Sequence, residues 1–484
     1  LTGNALDHAR LFKETSDVPY LSTRGEAPKL GFSDALLAGL ARDGGLYVPE
    51  VMPTMEPEAI SALAGLPYAQ AAAKVALPFI DGALSEDELG AMAREAYGGF
   101  RHAAKAPLVQ IDDNLYVLEL FHGPTLAFKD FAMQWLGRLM NHVLRTRGAR
   151  ATIVGATSGD TGAAAIEAFG GQSQTDIFIL YPHGRVSDVQ RRQMTTVDKP
   201  NVHAIALEGN FDDCQAILKG LFNDLALRDA LALSGVNSIN WARIVAQIVY
   251  YFTSAVALGA PARRVSFTVP TGNFGDIFAG YCAKKMGLPI ERLAIATNEN
   301  DILVRALESG VYKTRDVIAT HSPSMDIQVS SNFERLLFEA YQRDASAVRG
   351  LMASFAQSGQ FSIAPEPLKA IRREFDAFST DEADCAAEMA RVYSESGYVL
   401  DPHTAVAVHA ARRALARDRA TPMIALGTAH PAKFPNAVEA AIKVHPPLPP
   451  HLADLMSRQE RFTILPNSPN AVERFIRERA RARS

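Results

Sequence analysis

Thr152-Ile153-Val154-Gly155-Ala156-Thr157-Ser158-Gly159-Asp160-Thr161-Gly162 decides the fold class of this chain. Three β-favouring residues run into a turn of small residues, and an alanine-rich helical pattern over 163–169 follows. A strand that passes through a glycine-rich turn into a helix is the repeating unit of a parallel α/β sheet. The same order recurs outward from this stretch. Candidate strands lie at 115–120, 152–154, 177–180, 202–206, 265–269 and 423–426, and several are followed by glycine-rich turns and then helices. Ligands of open α/β sheets bind where such turns cluster, at the carboxyl ends of the strands.

The flanks differ in texture. The first ~18 residues are mixed and polar and read as an extension; no signal peptide opens the chain, and its start at Leu1 is expected to be trimmed. Ser33 is the expected N-cap of an amphipathic helix over 34–42 that stops at Gly44-Gly45. Alanine-rich helical patterns continue to Gly99, so residues 1–100 read as a mainly helical domain, with 103–107 as its exit linker. Residues 101–444 read as the α/β domain, its smaller lobe near 130–235. The proline-rich break 445–450 sets off a helical tail over 445–484, whose basic end from Arg477 reads as a solvated helix terminus.

Composition narrows the class. Of 484 residues, 48% are hydrophobic and 21% charged, the balance of an ordinary globular chain. Forty-nine Lys and Arg against 53 Asp and Glu leave a net charge of −4, without the basic field of a nucleic-acid binder. Cys214, Cys282 and Cys385 lie far apart, which excludes a disulfide framework or zinc knuckle, predicts no metal site and fits a reducing cytoplasm. The longest apolar stretch, 244–260, is interrupted by Gln247, Thr253 and Ser254 and falls short of a span; it reads as a buried helix, with no membrane partner.

Three places carry candidate chemistry. Lys129 lies between Phe128 and Phe131, ahead of a helix expected from Phe131 onward. Aromatic neighbours desolvate an amine, and desolvation disfavours the ammonium, which makes a lysine nucleophilic near neutral pH. The alternative is a surface lysine paired with Asp130. The turn from Gly155 to Gly162 is an anion cradle in outline, though it has neither the lysine of a Walker loop nor the G-x-G-x-x-G spacing of a dinucleotide site. Pro270-Thr271-Gly272-Asn273-Phe274-Gly275-Asp276 is a second such turn, before a helix expected from Ile277. Two cradles predict at least two anionic groups in one site. Pyridoxal 5'-phosphate accounts for all three places, since it needs a nucleophilic lysine for its aldehyde and a nest of N–H donors for its phosphate.

Taken in order, these stretches resemble the threonine synthases of the bacterial and fungal type, within the fold-type II pyridoxal-phosphate enzymes. The resemblance rests on Leu21-Ser22-Thr23-Arg24-Gly25, Asp43-Gly44-Gly45-Leu46-Tyr47-Val48-Pro49, Phe121-His122-Gly123-Pro124-Thr125 with Ala127-Phe128-Lys129-Asp130, and both glycine turns. Asn237-Ser238-Ile239-Asn240-Trp241-Ala242-Arg243, Ser322-Pro323-Ser324-Met325-Asp326 and Gly427-Thr428-Ala429-His430-Pro431-Ala432-Lys433-Phe434 complete it. It implies a tryptophan synthase β-like fold of two open α/β lobes with an added N-terminal helical domain, and a monomer.

The resemblance also implies roles. Lys129 would bond to the cofactor's aldehyde carbon. Gly272, Asn273, Phe274, Gly275 and Asp276 would cradle its phosphate, and Thr428 would face its ring nitrogen as a neutral hydroxyl. Thr157, Ser158 and Thr161 resemble the loop that holds the substrate carboxylate. Asp160, where other family members carry Asn, would lie near the cofactor's phenolic oxygen. Asn237, Ser238 and Arg243 resemble the grip on a substrate phosphate, a group that a guanidinium fork suits; Arg185 is a second candidate for that anion. The implied reaction takes O-phospho-L-homoserine and water to L-threonine and phosphate by γ-elimination and β-addition. A phospho-lyase or deaminase that releases 2-oxobutyrate, and a non-catalytic binder of phosphorylated metabolites, are the competing readings. His403 reads as a neighbour of a helix cap rather than as a catalyst.

Overall fold

Hydrogen bonding between strands gives two large sheets and two two-stranded ones among the described residues of the computed structural model, which are 18–80, 82–236 and 238–482. The larger sheet runs Phe375–Ser379, Ile290–Thr297, Val265–Pro270, Met423–Gly427 and Leu115–Glu119 in parallel, with Leu108–Asp112 antiparallel at the edge. The smaller sheet runs Thr463–Pro466, Val202–Glu208, Thr175–Pro182, Ala151–Ala156 and Leu233–Ser234, all parallel. All six strands read from sequence are present.

The tail departs from its expectation. It carries the helix Pro469–Arg479, but also the strand Thr463–Pro466, which adds to the open edge of Val202–Glu208. Only that edge makes the segment a strand, because its own alternation is too short to signal one. Nor is the basic end wholly solvated. Arg481 donates to the buried Asp176 carboxylate at 2.7 Å, and the Arg479 guanidinium lies 3.9 Å from the centre of the Phe475 ring.

Near the N-terminus the first helix is Phe32–Ala38 rather than 34–42. Gly31 precedes it, so Ser33 lies inside the helix and is not its cap. Gly39, at φ 64°, stops it early, in a conformation that L side chains rarely adopt. The strand Tyr20–Ser22 pairs with Tyr47–Pro49, and the helices Tyr68–Ile80 and Glu86–Gly98 follow. These helices share one apolar core with Lys129–Thr146, Trp241–Ala257 and Gly275–Lys285. Phe79, Phe131 and Trp241 are buried in it, each contributing about 1.5–3 kcal/mol by leaving water.

The apolar stretch expected at 244–260 is the helix Trp241–Ala257, which starts early because the Asn240 side chain accepts from the Ala242 N–H. Among the described residues no helix is long and apolar enough to cross a membrane. The three cysteines are buried and free.

The helices Lys129–Thr146 and Asp160–Phe169 pack closely at one point, where a Cβ on Gly137 would stand 2.7 Å from the Ala168 carbonyl oxygen. That contact sets the spacing of two helices whose first residues are Lys129 and Asp160. Gly137→Val is therefore expected to lower stability by about 1–3 kcal/mol through overpacking. A thermal melt checks it, and an unchanged midpoint would contradict the contact.

Candidate active site

Three strand-to-helix turns meet at one cavity, and each helix begins two or three residues earlier than the sequence predicts. The strand Leu115–Glu119 leads through a loop into a helix that starts at Lys129 rather than Phe131. Asp130 buckles that loop: its carboxylate accepts from the Thr125 N–H at 2.8 Å and the Thr125 hydroxyl at 2.6 Å. A Cβ on Gly123 would meet Asp130 Oδ2 at 2.4 Å, so only glycine lets the loop pass. Burial pushes the Asp130 carboxyl up to about 6. Lys129 is thus neither at the surface nor paired with Asp130. It is 8% exposed, its Nζ lies 4.8 Å from the centre of the Phe128 ring, and its nearest carboxylate oxygen is Asp160 Oδ2 at 3.5 Å. Burial pulls its pKa down, the Asp160 charge opposes that, and the cations Lys433 and Arg243 add to the fall.

The second turn follows Ala151–Ala156, and its helix starts at Asp160 rather than Ala163. Gly159 at φ 142° makes the bend, where a Cβ would run into the Gln190 side chain at 2.4 Å. Thr157 Oγ1 accepts from the Gly159 and Gly162 N–H groups, both at 2.9 Å, and so braces the turn. Asp160 is fully enclosed. Its Oδ1 meets Lys433 Nζ at 2.8 Å and accepts from Gln190 Nε2 at 2.9 Å; its Oδ2 accepts from the Ser324 hydroxyl at 3.3 Å. Burial alone would raise its pKa, but Lys433, Lys129 and the Gln190 amide hold it well below the usual carboxylate range.

The third turn follows Val265–Pro270. Phe274 adopts the left-handed conformation at φ 64°, and the helix begins at Gly275 rather than Ile277. No side chain caps this helix, so its first N–H groups are available to an anion. A Cβ on Gly272 would stand 2.8 Å from the Ser324 carbonyl oxygen, which packs the cradle against the 322–326 loop. That loop is pinned by Asp326, which accepts from the Thr320 hydroxyl at 2.7 Å and from Asn298 at 2.8 Å. Asn332 ties the cradle to the start of the next helix, donating to the carbonyls of Asn273 at 3.0 Å and Ser238 at 3.2 Å. Asp276 accepts from Tyr250 and Tyr251 at Oδ1, while its buried Oδ2 has no partner among the described residues. Burial pushes that carboxyl up to about 6.

Arg243 comes from the helix Trp241–Ala257. It is 3% exposed, its Nη1 donates to the Val236 carbonyl, and its Nε has no partner among the described residues. No carboxylate pairs with it among those residues, and burial pulls its pKa down to about 10. A buried guanidinium left unpaired is costly, and an anion in the cavity would relieve it.

The structure brings Lys129, Asp160, Thr161, Ser238, Arg243, Gly272, Asn273, Phe274, Gly275, Asp276 and Thr428 to the cavity wall. Three expected substrate groups stay out of that wall. Thr157 spends its oxygen on two backbone N–H groups, Ser158 sits beside it half-buried, and Arg185 is exposed on a turn where its N–H bonds back to Pro182. Asn237 lies outside the described residues.

Gln247, Ser324, Met325 and His403 line the cavity without having been read from sequence as site residues. Gln247 had a signal, since it stands one helical turn beyond Arg243 in an otherwise apolar stretch. His403 does neighbour a cap: Asp401 caps the helix Pro402–Leu415 and also holds His403 Nδ1 at 2.7 Å, while His403 Nε2 accepts from the Ser324 N–H at 3.3 Å.

The donor set suits pyridoxal phosphate. A desolvated amine, an uncapped helix start with a glycine that a Cβ would fill, and a buried cation lacking its anion face one space. Such a space takes an aldehyde that bears one phosphate and a substrate that bears another.

Comparison with known proteins agrees with this geometry. A family model described as "Pyridoxal-phosphate dependent enzyme" matches residues 101–426, flanked by "Threonine synthase N terminus" at 19–97 and "Threonine synthase, C-terminal" at 404–476. The chain is 54% identical over 458 residues to the threonine synthase of Pseudomonas aeruginosa, across 94% of this chain and 97% of that protein. The crystal structure of a PLP-bound threonine synthase from Brucella melitensis superposes with a TM-score of 0.93 at 63% identity, covering 96% of this chain and all of that one. The yeast threonine synthase structure superposes with a TM-score of 0.91 at 38% identity, covering 96% and 99%.

The Asp276 carboxyl has a pH consequence. Between its ordinary value near 4 and about 6 the folded chain holds a proton that the unfolded chain has lost, so stability falls as pH rises through that window. Asp276→Asn keeps an acceptor for the two tyrosines and removes the ionisation. Its thermal midpoint relative to the parent is expected to become more favourable from pH ~4 to pH ~8; a pH-independent difference would refute the burial argument.

Proposed function

The chain belongs to the threonine synthase family of pyridoxal-phosphate-dependent, fold-type II enzymes, and from that premise we propose that this cavity converts O-phospho-L-homoserine and water into L-threonine and phosphate. The observation that carries the reading is the pairing of a desolvated amine, Lys129, with a buried guanidinium, Arg243, that has no carboxylate partner among the described residues, both on the wall of one cavity. When bound, pyridoxal phosphate supplies a carbon that amines attack and a ring that draws off negative charge from the substrate carbons.

Lys129 would hold the aldehyde carbon, the residues from Gly272 to Asp276 would hold the phosphate at the uncapped helix start, and Thr428 and Asp160, on the same wall, would hydrogen-bond to the ring nitrogen and the phenolic oxygen. The reaction removes protons from Cα and Cβ, expels phosphate from Cγ, returns a proton to Cγ, adds water at Cβ and returns a proton to Cα. Lys129 Nζ is the group that takes and returns the Cα proton, since it lies on the cavity wall and burial disfavours its ammonium form. Arg243 and Ser238 hold the substrate phosphate, and the guanidinium offsets charge on it as it departs. Thr161, at the start of the helix Asp160–Phe169, meets the substrate carboxylate together with that helix's N–H groups.

The division into a helical domain 1–100, a catalytic domain 101–444 and a tail 445–484 belongs to the same reading, as do a cytoplasmic, monomeric enzyme and a partner list without nucleic acid.

Lys129→Ala is expected to abolish turnover and the visible absorbance of the bound cofactor. Borohydride trapping and peptide mapping of the parent should place the label at Lys129, and a label elsewhere would overturn the assignment. Arg243→Ala should weaken substrate capture about 10- to 100-fold, the worth of a charged hydrogen bond at ~1.5–3 kcal/mol, while cofactor absorbance persists. Unchanged substrate affinity would refute its role. Equal yields of threonine and phosphate from O-phospho-L-homoserine are expected; 2-oxobutyrate in place of threonine would make the enzyme a phospho-lyase.

A further inference from the structure

Asp160 is served unequally at its two oxygens. Oδ1 takes the short contacts, Lys433 Nζ at 2.8 Å and the Gln190 amide at 2.9 Å. Oδ2, the oxygen nearer the reactive amine, has only longer ones, Lys129 Nζ at 3.5 Å and the Ser324 hydroxyl at 3.3 Å. Lys433 has no accessible surface, and its Nζ also donates to the Thr125 carbonyl at 2.7 Å. Thr125 is the residue that Asp130 grips just ahead of Lys129. Lys433 therefore joins the turn that carries Asp160 to the loop that carries Lys129, and no substrate can reach it.

Two ammonium groups compete here for one carboxylate. The shorter, drier contact wins the charge, because Coulomb attraction grows as distance and local dielectric fall. We propose that Lys433 is the resident counter-ion of Asp160, a positioning residue that takes up the carboxylate's charge and so leaves Lys129 as the free amine of the site. The inference rests on the reading of Lys129 as the cofactor's lysine, but it concerns the amine itself and is measured on the amine.

The other charged or titratable groups facing Lys129 do not substitute for Lys433. Arg243, from the helix Trp241–Ala257, adds positive charge. Asp276, at the start of Gly275–Lys285, is engaged by two tyrosines, and burial raises its pKa. Asp130, on Lys129's own helix, is committed to Thr125. His403, from Pro402–Leu415, accepts the Ser324 N–H at Nε2 and so donates to the Asp401 carboxylate from Nδ1. With Lys433 gone, Lys129 is the one ammonium left within salt-bridge reach of Asp160 among the described residues. Its proton would then be held more tightly, since an opposite charge favours the ionised form.

The test uses the full-length chain freed of cofactor. Trace acetic anhydride is applied at pH values from about 6 to about 11, which bracket a lysine's ordinary range, and acetylation of Lys129 is read by peptide mass spectrometry. Lys433→Met should move the midpoint of Lys129 reactivity upward by at least about one pH unit, a roughly tenfold loss of reactivity below the midpoint. Lys433→Arg, which keeps the charge, should hold the parent's midpoint. Asp160→Asn combined with Lys433→Met, which removes the pair together, should bring the midpoint back down.

An unmoved midpoint in Lys433→Met, a displaced one in Lys433→Arg, or a double variant as displaced as the single would each overturn the proposal. If Lys433→Met does not fold, Lys433→Arg at the parent's midpoint and a double variant no higher than the parent are the expected results, and an upward displacement in either overturns the proposal. Borohydride mapping of the holoenzyme remains a separate measurement, so a misplaced cofactor lysine and a failed counter-ion role give different results.

Discussion

An ionised carboxylate buried between two lysines is the constraint on which the rest of the site depends. Asp160 cannot keep its charge away from water unless cations and hydrogen-bond donors surround it, and Lys433, Lys129, Gln190 and Ser324 do so from four separate segments. Those segments span positions 129 to 433, so the smaller sheet's turn, the Lys129 loop and the 427–434 loop must all be in place before the charge is satisfied. The Asp160–Lys433 pair thus joins segments of the two sheets beside Lys129.

Around that centre the backbone does much of the electrostatic work. The helices that begin at Lys129, Asp160 and Gly275 all direct their starts at one space, each from the carboxyl end of a parallel strand. Helix starts carry partial positive charge and spare N–H groups. Together with Arg243 they bring positive charge to the wall of this cavity, inside a chain of net charge −4. Glycines at 123, 159 and 272 are required there because neighbouring groups leave no room for a Cβ.

Support for this arrangement comes from polar networks behind the wall. Asp326 with Asn298 and Thr320 fixes the loop that presents Ser324, and Asn332 fixes the cradle against the turn before Arg243. Arg335, fully buried, extends the second network to the carbonyls of Tyr47 and Ile239, which ties the N-terminal region to the site. Such fully connected networks hold side chains in single positions, whereas a partly satisfied one would be costly.

Local sequence determined the strand–turn–helix units, a buried lysine between two aromatics and both glycine turns, because each is written within about ten contiguous residues and reflects backbone sterics and burial. It placed the helix starts too late, since the turn that leads into each helix is shaped by contacts with segments distant in the chain. It read the tail as helical throughout, because Thr463–Pro466 becomes a strand only against the edge of Val202–Glu208. It grouped Thr157 and Arg185 with the substrate residues, but could not show that Thr157 Oγ1 accepts from two backbone N–H groups or that Arg185 is exposed, since both depend on how the turns fold. Tertiary structure alone decided that Lys433 turns inward. A lysine among Ala432 and Phe434 carries no mark of its partner, and that partner, Asp160, lies more than two hundred residues away in the chain.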